Sequence, residues 1–303
     1  MPTVALITSQ YALTSPVDAD RELPLIVRAL TGRGVTCRVV DWLDETARYD
    51  DVDLVVIKSP WDYASRWEEF LAWLARVEAV APVANHPEVV RWNLDKAYLG
   101  ELRRHGVPAC PTSYCGSAAE VRAALAASTG RVVVKPNVSA ASADTGLFDP
   151  HDPAATALAG RILGNGKLVM VQPAIASVGR VGERSLIHFD DRFVHAIRKG
   201  PLLSLGGGLL GGDAYEETIT AEQAPPDERA VARQALAVVR DIFAARGLAA
   251  ACPSLYARVD LARDADDRPV LMELELLEPS YFLDLAPGAE QVFADAVMAR
   301  LGA

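Results

Sequence analysis

The chain has 303 residues, 50% of them hydrophobic, and a formal net charge of −10 at pH 7. This length and apolar content are typical of a globular protein of two or three domains, and an acidic chain without a Lys/Arg block is a poor partner for nucleic acid or an anionic membrane. No apolar run is long enough to cross a membrane, and no basic residues precede the first such run, Val4-Ala-Leu-Ile7, so we expect a cytoplasmic protein.

The first third of the chain has the pattern of an open α/β domain. Short apolar runs at 4–8, 35–40 and 53–57 predict strands, and the apolar spacing in 22–30 predicts a helix between the first two. Strand, helix, strand and strand in this order favour a parallel sheet. Pro and Gly residues then interrupt the pattern, and we place the first domain boundary near Arg91.

A second α/β unit follows this boundary, beginning with a helix predicted from about Leu94 to His105. Further on, the runs Arg131–Lys135 and Lys167–Gln172 predict strands that each stop at a proline. Between them, Asn137 to Gly146 consists mostly of small polar residues, and such a segment can close over a ligand as a mobile lid. The whole pattern predicts three domains, at residues 1–91, 92–178 and 179–303.

Two predicted strands near the C-terminal end contain charged residues at alternate positions. In Tyr256–Asp260 and Val270–Glu275, alternation directs Arg258, Asp260, Glu273 and Glu275 to one face. Carboxylates within an apolar sheet repel each other unless a divalent cation neutralises them, and such hard oxygen ligands suit Mg²⁺ bound to nucleotide phosphates. The pattern therefore predicts a Mg-ATP site, whereas a merely solvated hairpin would not embed each charge in Leu, Val and Met.

Two lysines also differ from the surface population. Lys96 lies near the predicted start of a helix, and Lys135 closes the apolar run Val132–Val134 just before a proline. A lysine at the end of a buried strand requires an anion nearby, and a nucleotide phosphate would provide one.

The order of these residues along the chain resembles the ATP-grasp superfamily of carboxylate-amine ligases, from about residue 85 to residue 280. The resemblance implies the ATP-grasp fold: an N-terminal open α/β substrate domain, a central lid domain and a C-terminal metal-binding domain, with ATP between the last two. It also implies that a substrate carboxylate becomes an acyl phosphate, which a nucleophile then attacks, with ATP and Mg²⁺ required.

The family's functional residues can be assigned to this sequence position by position. Lys96 and Lys135 resemble the two lysines that contact phosphate, and Glu183 resembles the acidic residue near the ribose. Arg258 resembles the arginine that steadies the transferring phosphoryl group, so Arg258 and Lys135 are the predicted catalytic residues. The remaining matches are the adenine-binding hinge, with Gln172, Pro173 and Ile175, and the metal ligands, Asp260, Glu273 and Glu275.

Within the superfamily, Lys58-Ser-Pro-Trp-Asp62-Tyr63 and Glu278-Pro-Ser280-Tyr-Phe282 resemble the branch that contains the O-ureidoserine cyclo-ligases of D-cycloserine biosynthesis. This resemblance implies that the substrate's own ureido nitrogen attacks the acyl phosphate and closes a ring. An intermolecular amino-acid or peptide ligase is the main alternative. A nonenzymatic ATP-binding regulatory module is another, but it would lack the metal carboxylates that this chain retains.

The amino-acid-like substrate requires its own contacts. Lys58 ends a predicted strand, where open α/β sheets bind ligands, and we expect Lys58, Arg198 and Ser280 to hold this small molecule. Asp62 is a candidate partner for its ammonium group, although Asp62 and Ser280 are equally suited to turn hydrogen bonds. Arg198 could instead contact phosphate. The sequence leaves the oligomeric state open, a homo-oligomer included.

Overall fold

The structure, a computed structural model, describes residues 1–16, 19–140, 142–208 and 218–302. Its strands are β1 (Thr3–Thr8), β2 (Thr36–Asp41), β3 (Leu54–Ser59), β4 (Val83–Ala84), β5 (Ser113–Cys115), β6 (Val132–Pro136), β7 (Gly146–Phe148), β8 (Val169–Pro173), β9 (Glu183–Phe189), β10 (Arg192–Lys199), β11 (Ile219–Glu222), β12 (Tyr256–Arg263) and β13 (Pro269–Glu275). Its α-helices are α1 (Gln10–Thr14), α2 (Leu23–Thr31), α3 (Trp67–Glu78), α4 (Pro87–Leu94), α5 (Tyr98–Arg104), α6 (Ala118–Ala126), α7 (Pro153–Gly164), α8 (Val178–Val181), α9 (Pro226–Ala245) and α10 (Ala289–Arg300). None of the helices in these described ranges has the length and apolar character of a membrane span.

The described strands form three sheets. The N-terminal sheet has the order β2-β1-β3-β4 and is parallel, as predicted. The central sheet, β5-β8-β6-β7, and the C-terminal sheet, β11-β10-β9-β12-β13, are antiparallel. The fold is thus mixed α/β, with one parallel and two antiparallel layers.

The N-terminal sheet is covered on both faces, which explains its uninterrupted apolar strands. One face packs against α2 and α10, and the other against α3. All six residues of β3 are buried, including the polar Lys58 and Ser59 at its carboxyl end. Parallel strands buried on both faces lose the polar-apolar alternation seen in exposed sheets.

Helix α9 covers one face of the C-terminal sheet. It begins with Pro226 in the first turn, where the missing N–H is not needed, and it has two acidic residues near its N-terminus. Its buried residues follow helical spacing from Val231 to Phe243 and pack with strands β12 and β13. The opposite face of this sheet is therefore left for the site.

The predicted helix from Leu94 to His105 begins later than expected. Helix α4 ends at Leu94 because Asp95 adopts an extended conformation, and α5 starts only at Tyr98. Lys96 consequently lies in the turn between the two helices, and the carboxylate of Asp95 accepts a hydrogen bond from the N–H of Ala97. The predicted domain boundary near Arg91 falls within α4, and the domain limits stay predictions.

Candidate active site

Strands β12 and β13 bring the four alternating charged residues to one face, as predicted. Arg258 is paired in register with Glu275, and Asp260 with Glu273. Directly opposite residues of antiparallel strands point to the same side of the sheet. The sequence pattern was sufficient here because each strand is apolar on its other face.

Ionic contacts connect these residues with two lysines from elsewhere in the fold. The Arg258 guanidinium donates to Asp260, at 3.0 Å from Nε to Oδ1, and to a carboxylate oxygen of Glu275. Lys199 Nζ lies 2.6 Å from Asp260 Oδ2. Lys96 Nζ lies 3.1 Å from Glu273 Oε1. We call this set the carboxylate cluster; its members are Lys96, Lys199, Arg258, Asp260, Glu273 and Glu275.

The carboxylates of this cluster are not all neutralised. Burial would raise the pKa of Asp260, but Arg258 and Lys199 outweigh burial and hold that pKa well below its usual range. Burial raises the pKa of Glu275 to about 8, and Glu273 and Asp260 add to the increase against the opposing charge of Arg258. Glu275 is thus a carboxylate of the cluster whose negative charge is poorly stabilised.

The donor chemistry of the cluster fits Mg²⁺ shared with a nucleotide. Across the described ranges, no three His, Cys, Asp or Glu side chains are arranged as a complete metal site. Magnesium, however, is usually held by one or two carboxylates together with substrate phosphates rather than by an all-protein cage. The Glu273 and Glu275 side chains remain 26% and 22% exposed, so a ligand can reach them.

The central sheet places Lys135 toward the same region. In β6, Val132 and Val134 pack into the core under α6 and α7, whereas Lys135 lies on the opposite, half-buried side. No ion pair joins Lys135 to another described residue, yet its charge, with that of Lys96, lowers the pKa of Glu273 against the effect of burial. The two predicted phosphate-contacting lysines therefore both act on this cluster.

Lys96 also contacts the predicted lid. Its ammonium group donates to the carbonyl oxygen of Ser139 at 2.7 Å, and its backbone N–H donates to Asn137. Of the segment 137–146, Ala141 lies outside the described residues. The first residues of the segment are thus anchored at the site, and its role as a lid stays a prediction.

The predicted nucleotide contacts on strands β8 and β9 lie at the edge of this region. The buried Gln172 amide donates to Thr112 Oγ1 at 2.8 Å, while Pro173 is exposed and Ile175 is half-buried. Glu183 lies 3.4 Å from Lys199, at the start of β9. Their assignment to adenine and ribose remains a prediction.

Comparison with known proteins identifies the family. Residues 4–85 match the family model described as "D-cycloserine synthetase DcsG, N-terminal domain". The chain is 37% identical over 312 aligned positions, covering 99% of both chains, to the cycloserine biosynthesis protein DcsG of Streptomyces lavendulae.

The chain belongs to the D-cycloserine synthetase family.

Solved structures agree with this family and with the ATP-grasp fold. The crystal structure of D-cycloserine synthetase DcsG matches with a TM-score of 0.89 at 38% identity, covering 99% of each chain. The ATP-grasp ligase PsnB, in complex with a minimal precursor, matches with a TM-score of 0.63 at 19% identity over 99% of each chain. D-alanine–D-alanine ligase from Bacillus anthracis, in complex with ATP, matches with a TM-score of 0.64 at 13% identity, covering 99% of this chain and 97% of the ligase chain. These two more distant matches support the ATP-grasp fold alone.

In this D-cycloserine synthetase family member, Arg198 lies outside the carboxylate cluster, and its role in holding substrate or contacting phosphate stays a prediction. Its Nε donates to Glu222 at 2.8 Å, and its Nη1 donates to the carbonyl of Val181. Consecutive strand residues point to opposite faces, so Lys199 is the cation that faces the cluster. Sequence analysis missed Lys199 because both residues end the same strand, and a register shift between Phe193 and His195 obscures which of them faces inward.

Lys58 is enclosed within the protein rather than presented to a ligand. Its side chain is 0% exposed, and its Nζ lies 3.2 Å from Asp20 and 3.0 Å from Glu22. Burial alone would lower the pKa of Lys58, but the two carboxylates outweigh burial and raise it. We call Asp20, Glu22 and Lys58 the Lys58 cluster. This geometry favours a structural ion pair, and the role of Lys58 in holding substrate stays a prediction.

The other two predicted substrate residues differ from each other. Asp62 accepts a hydrogen bond from Trp42 Nε1 at 2.7 Å, which favours the structural alternative for this residue. Ser280 is half-buried in the segment after β13, two residues beyond the buried Glu278. Of the four residues expected to hold substrate, Ser280 is therefore the one whose side chain is not already assigned to a structural contact among the described residues.

Proposed function

We propose that this chain is an ATP-dependent cyclo-ligase that converts O-ureido-D-serine to D-cycloserine in antibiotic biosynthesis. The single observation that supports it most is 37% identity over 99% of both chains with the cycloserine biosynthesis protein DcsG. The carboxylate cluster adds physical support, because it combines exposed carboxylates with fixed cations on one face of a sheet.

The proposed chemistry has three steps. The substrate carboxylate attacks the terminal phosphorus of ATP, which gives an acyl phosphate and releases ADP. The ureido nitrogen bonded to oxygen then attacks the acyl carbon, so that a C–N bond forms and the C–O bond to phosphate breaks. Water finally removes the carbamoyl group as carbon dioxide and ammonia, and the isoxazolidinone ring remains.

Each residue of the cluster has a task in this scheme. Arg258 holds positive charge where the phosphoryl group transfers, and Lys96 and Lys135 hold phosphate oxygens. Lys199 orients Asp260 through their 2.6 Å contact. Asp260, Glu273 and Glu275 would hold Mg²⁺, which when bound neutralises charge that develops on the phosphates.

No separate base is required from the two histidines of the β9–β10 hairpin. The His188 ring is buried and its Nδ1 lies 3.2 Å from the carbonyl of Leu186, and burial lowers its pKa to about 4. His195 Nε2 lies 2.8 Å from the carbonyl of Tyr281. Both rings are thus committed to backbone contacts, and an acyl phosphate is already activated toward a nitrogen held close to it.

The domain assignment forms part of the same proposal. Residues 1–91 would form the substrate domain, 92–178 the lid domain, and 179–303 the metal-binding domain. The substrate is a small amino-acid-like molecule, and a cytoplasmic location agrees with intracellular ATP as co-substrate.

The test is phosphate release from Mg-ATP with O-ureido-D-serine, its L isomer, or pairs of amino acids, with products identified by mass. We expect turnover with one ureidoserine isomer alone and a cyclic product. Turnover that requires two different amino acids would instead indicate an intermolecular ligase. ATP binding without turnover on any substrate would indicate a binding module.

A further inference from the structure

The segment that follows strand β13 is held by residues from the N-terminal part of the chain. Trp61 Nε1 donates to the carbonyl of Glu278 at 3.1 Å. Further along, the carboxylate of Glu22 accepts hydrogen bonds from two consecutive backbone N–H groups, those of Tyr281, at 3.0 Å, and Phe282. Glu22 thus fixes the backbone only six residues after Glu275.

The backbone that Glu22 holds is in an unfavourable conformation. Phe282 has φ 54° and ψ 45°, in the left-handed region, although it is not glycine. For a bulky residue this region is strained and persists only where surrounding contacts impose it. The two hydrogen bonds to Glu22 fix the N–H groups of Tyr281 and of Phe282 itself, and they provide such contacts.

The conformation of Phe282 has a consequence at the carboxylate cluster. The centre of its ring lies 5.7 Å from Arg258 Cζ, within the range of a cation–π contact. This guanidinium also donates to Asp260 and Glu275. The Phe282 ring adds a third contact, which further restricts the movement of the guanidinium.

Glu22 is itself held rigidly. Its side chain is 9% exposed, and its Oε2 lies 3.0 Å from the fully buried Nζ of Lys58. The carboxylate of Asp20 accepts from the Glu22 N–H at 3.0 Å, and Lys58 Nζ lies 4.7 Å from the centre of the Tyr281 ring. Lys58 and Asp20 therefore hold the Glu22 carboxylate and backbone in place, and Glu22 in turn contacts the backbone of residues 281 and 282.

We propose that Glu22 is a positioning residue for phosphoryl transfer: it holds Phe282 in the left-handed conformation, and the Phe282 ring orients Arg258. The inference rests on the proposed function for its assignment of Arg258. It assigns Glu22 no contact with substrate.

The kinetic test is a double-mutant cycle with Glu22→Gln and Phe282→Leu. Gln offers one acceptor oxygen where Glu offers two, and Leu lacks the ring. We expect each variant to lower kcat about tenfold, as is usual for residues that orient a functional group, with the KM for ATP and for substrate within about twofold of wild type. The double variant should be no slower than the slower single variant, because both changes interrupt one chain of contacts.

Two kinetic outcomes would overturn the proposal. Multiplying effects, with the double variant about a hundredfold slower, would mean that the residues act independently. A raised KM for substrate with unchanged kcat in Glu22→Gln would place Glu22 in direct contact with substrate. If Glu22→Gln does not yield folded protein, Glu22→Asp applies the same test, since it keeps the charge and shortens the reach.

Asp20→Asn is the matched control. It removes a carboxylate charge from the same lysine but keeps an acceptor oxygen for the Glu22 N–H, and the N–H groups of residues 281 and 282 donate to Glu22 rather than to Asp20. We expect it to be less stable, with kcat within about twofold of wild type. An equal loss of kcat would attribute the effect to the Lys58 cluster as a whole and overturn the specific role of Glu22.

A second readout does not depend on activity. The Arg258 Nε–H signal in a ¹H–¹⁵N spectrum, assigned by its absence in Arg258→Lys, should shift in both Glu22→Gln and Phe282→Leu but not in Asp20→Asn. An unmoved signal in Glu22→Gln would overturn the inference. Because the measurement needs no substrate, it decides the inference even if the proposed reaction is wrong.

Discussion

The Lys58 cluster and the carboxylate cluster differ in how accessible their carboxylates are. In the Lys58 cluster, one ammonium group faces two carboxylates, and the Lys58 and Asp20 side chains are 0% exposed. In the carboxylate cluster, Glu273 and Glu275 retain 26% and 22% exposure. Both contain lysines that looked equally suited to bind an anion when only the sequence was considered.

The pKa shifts show the same difference. In the Lys58 cluster, Lys58 and Asp20 stabilise each other's charge: the effect of burial is outweighed for both, so the pKa of Lys58 rises and that of Asp20 falls. In the carboxylate cluster the pKa of Glu275 rises to about 8, through burial and the neighbouring carboxylates. A sealed cluster whose charges stabilise one another supports structure, whereas an accessible cluster with a poorly stabilised carboxylate can bind a cationic ligand.

The largest effect that we expect is on stability, from Lys58→Met. This variant leaves two buried carboxylates without a cationic partner and should lower the free energy of unfolding by about 3–5 kcal/mol, measured by urea denaturation. Lys135→Met is the matched control, because that lysine has no ion pair to a described residue, and it should change stability by less than about 1 kcal/mol. Equal losses in the two variants would remove the distinction between the clusters.

Next in size is the effect of Glu273→Gln on turnover. It removes a partly accessible charge from the carboxylate cluster and should lower kcat by about 10²–10³-fold, as expected when one preorganised electrostatic group is lost. Glu222→Gln is the control on the other face of the same sheet, where Glu222 pairs with Arg198. Steady-state kinetics that show similar losses for both variants would mean that the faces are wrongly assigned.

A smaller effect separates the adjacent residues Lys199 and Arg198. Lys199→Met removes the cation 2.6 Å from Asp260 and should lower kcat about tenfold, whereas Arg198→Met should change it by less than about twofold. The comparison is informative because the two changes are similar in size and charge. A greater loss with Arg198→Met would support the predicted role of Arg198 in holding substrate and contradict the role of Lys199.

The sequence was sufficient for local patterns but not for long-range partners. Alternation in two adjacent strands placed Arg258, Asp260, Glu273 and Glu275 on one face, and the register confirms it. The parallel N-terminal sheet was likewise predicted from its apolar runs.

The ion-pair partners of Lys58 could not be predicted in the same way. Its partners Asp20 and Glu22 precede it by more than thirty residues and lie outside any predicted strand. A lysine at the end of a buried strand indicates an anion nearby, but only the fold determines whether that anion is a ligand or a carboxylate of the protein. Trp42, whose indole N–H donates a hydrogen bond to Asp62, is another partner that the local pattern does not indicate.

The most direct test of the account uses O-ureido-D-serine with ¹⁸O in both carboxylate oxygens, incubated with the enzyme and Mg-ATP. If the carboxylate is phosphorylated and the ureido nitrogen then displaces phosphate, the released phosphate must contain one ¹⁸O from the substrate, and the cyclic product must retain the other. Unlabelled phosphate accompanying formation of the cyclic product would contradict the acyl-phosphate mechanism.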